Sequence, residues 1–276
     1  MGVNISYLRA SYLESEDAQE QRRLLGIQHP VQVGRLLEDE KIYFGKPIPQ
    51  PAEPEALRAL CDGTGILSRA PVTDARRCGW MLTFTVGKSV SMEILALRSP
   101  ETWTKTTEQI VQECVKPAVE RVLDAFRTGK KKEPVAGAYG EIHPEALSKL
   151  REFHAHFHSP IPNAVRTESG KVQCVENARE VLYHAAFPVI NAEFQKRLSD
   201  HFAKQGIVCE LDGHNTKISA IPKELCDAVS ESTKLIKALK DLGIENSQTA
   251  NYLVRKEEDL KLKEPLKDLR ACPIRG

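Results

Sequence analysis

No apolar run in this sequence approaches the roughly eighteen residues that a membrane-spanning helix needs, and its N-terminus lacks the basic-then-apolar pattern of a secretory signal. A charge imbalance is missing too: 39 basic residues meet 38 acidic ones, leaving a net charge of +1. No global electrostatic footprint for nucleic acid exists, so any such contact must come from local patches. Nor is there a cysteine framework, because the seven cysteines, at 61, 78, 114, 174, 209, 226 and 272, contain no C-x-x-C pair. Their odd number argues against a set of disulfides. These absences together predict a cytoplasmic protein with reduced thiols and no membrane partner. The start Met-Gly-Val-Asn-Ile-Ser fits a short myristoylation pattern at Gly2, but nothing else in the sequence suggests an anchor. There is no internal repeat.

What is present is enough for a globular core: 276 residues, 41% apolar and 28% charged, suffice for one large domain or two small ones. The pattern predicts a polar helix from Glu14 to about Glu40, then a proline-dense connector carrying Pro47, Pro49, Pro51 and Pro54, and a short helix from Pro54 to Cys61. Trp80 to Val86 reads as a buried strand stopped by Gly87, and Lys88 to Leu97 as a helix. Pro100 opens a longer helix with apolar residues at helical spacing from Ile110 to Phe126, kinked at Pro117. Val135 to Ile142 reads as a strand, Pro144 to Leu150 as a helix, and Phe153 to His158 as an alternating strand. Ser159-Pro-Ile-Pro162 should interrupt that strand, since proline withholds a ladder hydrogen bond. A hairpin turn at Glu168 to Lys171, a long helix from Asn177 to Lys204 stopped by Gly206, a strand pair at Ile207 to Leu211 and Thr216 to Ile221, and helices from Pro222 to Leu242 complete the reading. Hairpins between long helices, without repeated βαβ spacing, predict an α+β fold on an antiparallel sheet.

The candidate chemistry lies in the histidines. His143 precedes the pair His154 and His156, and residues two apart on a strand point to one face, so two imidazoles can meet a third at one point. His158 shares their face and is an alternative third ligand. Phe153 and Phe157, on the opposite face, set the strand in a core. Three imidazoles suit Mg, Mn, Zn, Ni or Co and leave positions open for water or a phosphodiester oxygen. Such a centre serves either hydrolysis, with a carboxylate as base, or attack on phosphorus by a protein Ser, Tyr or Cys. Tyr7 and Tyr12 lie in an N-terminal segment that can be laid across a sheet. Local basic patches stand at Arg76 and Arg77, at Lys130, Lys131 and Lys132, and after Arg255.

Trp80-Met-Leu-Thr-Phe-Thr-Val-Gly-Lys-Ser-Val-Ser91 resembles the aromatic-acidic-Leu-Thr-Phe-Ser-x-x-Lys-Ser-Val-Ser segment of conjugative relaxases of the TrwC type, members of the His-hydrophobe-His endonuclease superfamily. The histidine spacing is similar to theirs. So are Leu182-Tyr-His-Ala-Ala186, Glu193-Phe-Gln-Lys-Arg-Leu198, Gln205-Gly206-Ile207 and Ile221-Pro-Lys-Glu-Leu225, in order, from about Ser11 to Lys256. The resemblance implies a five-stranded antiparallel palm sheet with flanking helices in a relaxase domain spanning 1–262, followed by a tail at 263–276. It implies binding of single-stranded DNA and an origin-of-transfer hairpin, with relaxosome accessory proteins as further partners. It implies a divalent metal, Mg or Mn first with Zn, Ni or Co as alternatives, on His143, His154 and His156. Arg9-Ala-Ser-Tyr-Leu-Glu14 is similar to the family's nucleophile segment and puts the nucleophile on Tyr12, with Tyr7 as the spare. Lys88, Ser89, Arg76, Arg77, Lys130 and Lys131 are the expected DNA contacts.

Several positions depart from the family. Met81 stands where an acidic residue is expected to orient a metal histidine or assist the tyrosine, and a thioether does neither. Glu141, Glu145 and Glu152 are the candidates to replace that acid. Leu13 replaces a second tyrosine, and Leu150-Arg-Glu-Phe153 replaces Asp-Pro-Gln-Leu. The family's larger members continue into a helicase domain, for which this chain ends too soon, so a relaxase domain by itself is the expectation.

Overall fold

The computed structural model describes residues 2–8, 16–27, 29–34, 79–129, 133–148, 152–212 and 215–241. The proline-dense connector, the short helix expected at 54–61, and Tyr12, Arg76, Arg77, Lys130 and Lys131 lie outside them.

Five strands form the central antiparallel sheet: β1 (Val3–Tyr7), β2 (Val31–Val33), β3 (Gly79–Thr85) and, after the helices and hairpin arm that follow β3, the strands Gly140–Leu147 and Phe153–Pro162. The arm is built of β4 (Arg127–Thr128), β5 (Glu133–Ala138), β8 (Val165–Thr167) and β9 (Val172–Gln173), so Gly140–Leu147 is β6 and Phe153–Pro162 is β7. The order across the central sheet is β1-β3-β7-β6-β2. Every neighbouring pair in it is antiparallel, as the hairpin-rich sequence predicts.

One face of the sheet is the core. Leu82 and Phe84 of β3 and Phe157 and Ile161 of β7 are buried there, where period-2 alternation places them together. After β3 comes the short helix α2 (Lys88–Ser91), continued by a π-helical turn at Met92–Ala96, and three longer helices cover this face: α3 (Pro100–Ile110), α4 (Lys116–Ala125) and α5 (Ala186–Ala203). On α5 the buried residues Ile190, Phe194, Leu198 and Phe202 recur every four positions, making one apolar stripe. Phe194 meets Phe84 edge-on at 5.2 Å between ring centres. Pro117 removes one helical donor, and a π-helical turn at Val111–Val115 joins α3 to α4 just before it. A second π-helical turn, Glu180–Ala185, precedes Pro188 in the same way.

Three expectations are corrected. The N-terminal helix, α1, covers only Glu16–Leu24, because Gly26, at φ 70°, ends it and the chain turns into β2. Pro144 to Leu147 is strand, not helix, as part of β6. β2 keeps register with β6 only as far as Ile142, so the missing N–H of Pro144 falls beyond that ladder. Likewise β7 runs through Pro160 and Pro162, in register with Met81 and Gly79. Both prolines lie past His158, where the register with β6 begins, so neither interrupts a two-sided ladder.

The strand pair β10 (Cys209–Asp212) and β11 (Asn215–Ile218), then α6 (Lys223–Ala228) and α7 (Glu231–Asp241), finish the described fold, and Gly206 at φ 76° ends α5 as expected. No helix among the described residues is long and apolar enough to cross a membrane. Truncating Phe194 to alanine removes the centre of the α5 stripe and should destabilise the fold by about 3–5 kcal/mol, read from the shift of the urea midpoint. Burial and the Glu113 charge push the Cys114 thiol up to about 12, so native protein at pH 8 should resist iodoacetamide at this residue until it unfolds.

Candidate metal centre

The other face of the sheet carries the polar residues. Register fixes this: in β3–β7 pairing Thr85 opposes His156 and Thr83 opposes His158, while in β6–β7 pairing Glu145 opposes His156 and His143 opposes His158. Directly opposed residues share a face. Glu141, His143 and Glu145 of β6, His154, His156 and His158 of β7, and Met81, Thr83 and Thr85 of β3 therefore line one side.

Within that row, Glu145, His156 and His158 come together, each offering a ligand atom within 4.8 Å of the others. Glu145 Oε2 lies 3.2 Å from His156 Nε2 and 3.7 Å from His158 Nε2. His156 Nδ1 is 2.8 Å from the His154 carbonyl oxygen, which can only accept, so Nδ1 carries the proton and donates it. Its Nε2 then faces Glu145, donating to the carboxylate when the ring is protonated and offering a lone pair when it is neutral. His158 Nδ1 lies 3.0 Å from Thr83 Oγ1, and the tautomer that donates to that hydroxyl carries no proton on Nε2. With both rings neutral in these tautomers, a carboxylate oxygen and two ring nitrogens converge as acceptors, a set whose complement is a cation.

Electrostatics favour the unprotonated forms of Glu145 and His158. Burial works against ionised Glu145, but the His156 hydrogen bond and the attraction of His158, His156 and His143 outweigh it and hold the carboxyl at about 2. Burial pushes His158 down to about 4 despite the Glu145 charge. His154 is lowered to about 3 by burial, then by the charges of His156 and Lys88.

Two of the three expected ligands, His143 and His154, are not in the cluster. His143 Nδ1 is 3.0 Å from Arg22 Nη1, and a guanidinium has only donors, so this nitrogen accepts. Its Nε2 then carries the proton and donates to Glu141 Oε2 at 2.7 Å. Glu141 Oε1 accepts in turn from the Tyr139 hydroxyl. The tautomer of His143 is the reverse of that of His156, with both nitrogens bound by the protein. His154 shares the face, its ring centre 5.4 Å from that of His156, and lends the cluster its carbonyl. Tyr7 is not brought to the cluster: it opposes Trp80, on the core-side face, and is half-exposed.

Lys88 and Ser89, expected at a DNA surface, are engaged inside the fold. Lys88 Nζ donates to the Phe153 carbonyl at 3.1 Å and pairs with Glu152 Oε2 at 3.2 Å, pinning the start of β7. The same Glu152 oxygen accepts from the Glu231 N–H at the start of α7. Buried Ser89 accepts from the Ile218 N–H, and buried Ser91 from the Ala155 N–H, between His154 and His156. The Lys-Ser-Val-Ser segment is thus a clamp on the strand that carries the histidines.

Glu145 and Thr83 were the residues that pattern reading did not put at the centre. A signal was available: Glu145 to His156 spans eleven positions, as His143 to His154 does, and the residue between His156 and His158 is the core hydrophobe Phe157.

The sequence matches the TrwC relaxase family over residues 10–271. The fold is similar to that of the conjugative relaxase TrwC in complex with oriT DNA in a metal-bound structure, at 17% identity and TM-score 0.72, covering 98% of this chain and 94% of that one. A copper-bound structure of TrwC with oriT DNA is similar at 18% identity and TM-score 0.71, covering 96% and 92%. TrwC complexed with a 27-mer DNA comprising the recognition hairpin and the cleavage site is similar at 16% identity and TM-score 0.70, covering 97% and 93%. No curated protein matches the sequence.

The Lys88–Glu152 pair makes a prediction separate from metal chemistry. Glu152→Gln should lower stability by about 2–3 kcal/mol in urea titration, because Lys88 stays largely buried without its charge partner, and should leave divalent-ion affinity within about twofold.

Proposed function

The chain belongs to the TrwC relaxase family, and from that premise we propose that it is a DNA strand transferase acting at an origin of transfer, with Tyr12 as nucleophile and a divalent ion on Glu145, His156 and His158. The observation that carries this reading is the convergence of three acceptor atoms on the polar face of the sheet. The DNA partners are single-stranded DNA and the origin-of-transfer hairpin, with relaxosome accessory proteins as expected company in the cytoplasm. The relaxase domain would span 1–262, with 263–276 as a tail, and Arg76, Arg77, Lys130 and Lys131 would serve as phosphate contacts.

In the proposed step the Tyr12 phenolic oxygen attacks the scissile phosphorus. The bond from phosphorus to the 3′-oxygen breaks, and that oxygen takes up a proton. A 5′-phosphotyrosine and a free 3′-OH result, and the reverse attack rejoins the strand. A phenol has an unperturbed pKa near 10, so its proton needs an acceptor and the phosphorane charge needs a counter-charge. A divalent ion, when bound, supplies that counter-charge; Mg or Mn suits the carboxylate-containing set. The protein's own part is to aim the donors: the His154 carbonyl orients His156, and the Thr83 hydroxyl orients His158.

A second reading, a DNA-binding member with weakened nicking, draws on Met81. It is buried on the histidine face, opposite Ser6 and Pro160, and brings no proton acceptor.

Purified protein with Mn2+ and single-stranded oligonucleotide carrying the cognate site should form an adduct that survives denaturing electrophoresis. Tyr12→Phe should abolish it, Tyr7→Phe should leave it unchanged, and EDTA should suppress it. An adduct that persists in Tyr12→Phe would sink the tyrosine assignment. Salt-dependent DNA binding with no adduct in the wild type would establish the second reading instead.

A further inference from the structure

Resting on Glu145, His156 and His158 as the ligand set, we propose that Glu145 determines which ion the site takes, turning a three-imidazole centre into a two-histidine, one-carboxylate centre that favours Mn2+ relative to Ni2+. Carboxylate oxygen suits hard ions such as Mg2+ and Mn2+, whereas imidazole nitrogen suits Ni2+, Cu2+ and Zn2+. The intrinsic order of divalent affinities still places Ni2+ above Mn2+ at most nitrogen and oxygen sites, so the effect lies in the ratio of the two affinities. An anionic oxygen in place of a neutral nitrogen narrows that ratio.

The geometry makes Glu145 hard to bypass. It opposes His156 across the β6–β7 ladder, and its Oε2 stands 3.2 Å from one ligand nitrogen and 3.7 Å from the other. A third imidazole would have to be His143 or His154. His143 accepts from Arg22 and donates to Glu141, so whichever nitrogen were to ligate would first have to give up a hydrogen bond to a charged group. His154 is bound into the cluster through its carbonyl, which fixes the tautomer of His156. The His154 carbonyl on His156 and the Thr83 hydroxyl on His158 are already in place to orient these two imidazoles, and such supporting hydrogen bonds hold ligand identity.

The test is calorimetric titration of EDTA-stripped, full-length protein with MnCl2 and with NiCl2, supported by the Mn2+ electron paramagnetic resonance signal. Glu145→His should raise Ni2+ affinity relative to Mn2+ by about tenfold or more, within the range by which residues around a metal tune affinity. Glu145→Gln, which keeps shape and removes charge, should weaken Mn2+ more than Ni2+, and its circular dichroism should match the wild type. His143→Ala should leave the ratio unchanged. Unaltered ratios in both Glu145 variants, with both ions still bound, would overturn the role of Glu145 while leaving the metal site standing. Failure of the wild type to bind either ion would instead remove the ligand assignment beneath it.

Discussion

The antiparallel register of β6 against β7 is the constraint on which the rest of this molecule depends. It sets Glu145 opposite His156 and His143 opposite His158, while Pro144 opposes Phe157 on the core side. The side-chain period of a strand is two, so a slip of one residue would send every imidazole into the core and every phenylalanine to the polar face. Phe157, buried against Phe84, is therefore as much a part of the site as the histidines that flank it. Burial of its face fixes which way the ligands point, and the Lys88–Glu152 pair and the Ser91 hydroxyl hold the strand's first residues in place.

With the face settled, hydrogen bonding sorts the histidines along it. Six titratable residues share one polar row, and proximity alone would not distinguish ligands from support. The tautomers do. A carbonyl beside Nδ1 keeps a proton on that nitrogen of His156, so its neutral ring offers a lone pair at Nε2, whereas a guanidinium beside Nδ1 forces His143 to present a proton at Nε2. Arg22 belongs to α1, so this contact also ties the helix that follows the Tyr12 segment to the sheet. The Gln21 side chain adds a second tie by accepting from the Leu147 N–H.

Much of this was legible from residues alone. Trp80 to Val86 had to be a buried strand because apolar, β-branched and aromatic residues fill it, and Gly206 had to end a helix whose last apolar residue was Phe202. The His-x-His alternation marked the polar face correctly, since period two is a local property. What was not legible was which members of that row converge. His143 and Glu145 lie on the same face of the same strand, two positions apart, and eleven-residue spacing fits either pair. Only cross-strand register separates them, and register depends on long-range pairing. The prolines misled for the same reason: Pro144, Pro160 and Pro162 break a ladder only where a partner strand requires their N–H.

Met81 then takes on a different meaning from the one its identity suggests. An acid at that position would stand on the histidine face of β3, opposite Pro160 and four residues along β7 from His156, toward the buried Glu141 rather than Glu145. Two carboxylates in one dry pocket repel unless a proton or cation sits between them. With Glu141 already buried on that stretch, a neutral side chain at 81 avoids that repulsion, and the Thr83 hydroxyl, 3.0 Å from His158 Nδ1, orients that ring with no charge. Glu145 brings its own negative charge to the row through β6, at the end where His156 and His158 converge on it.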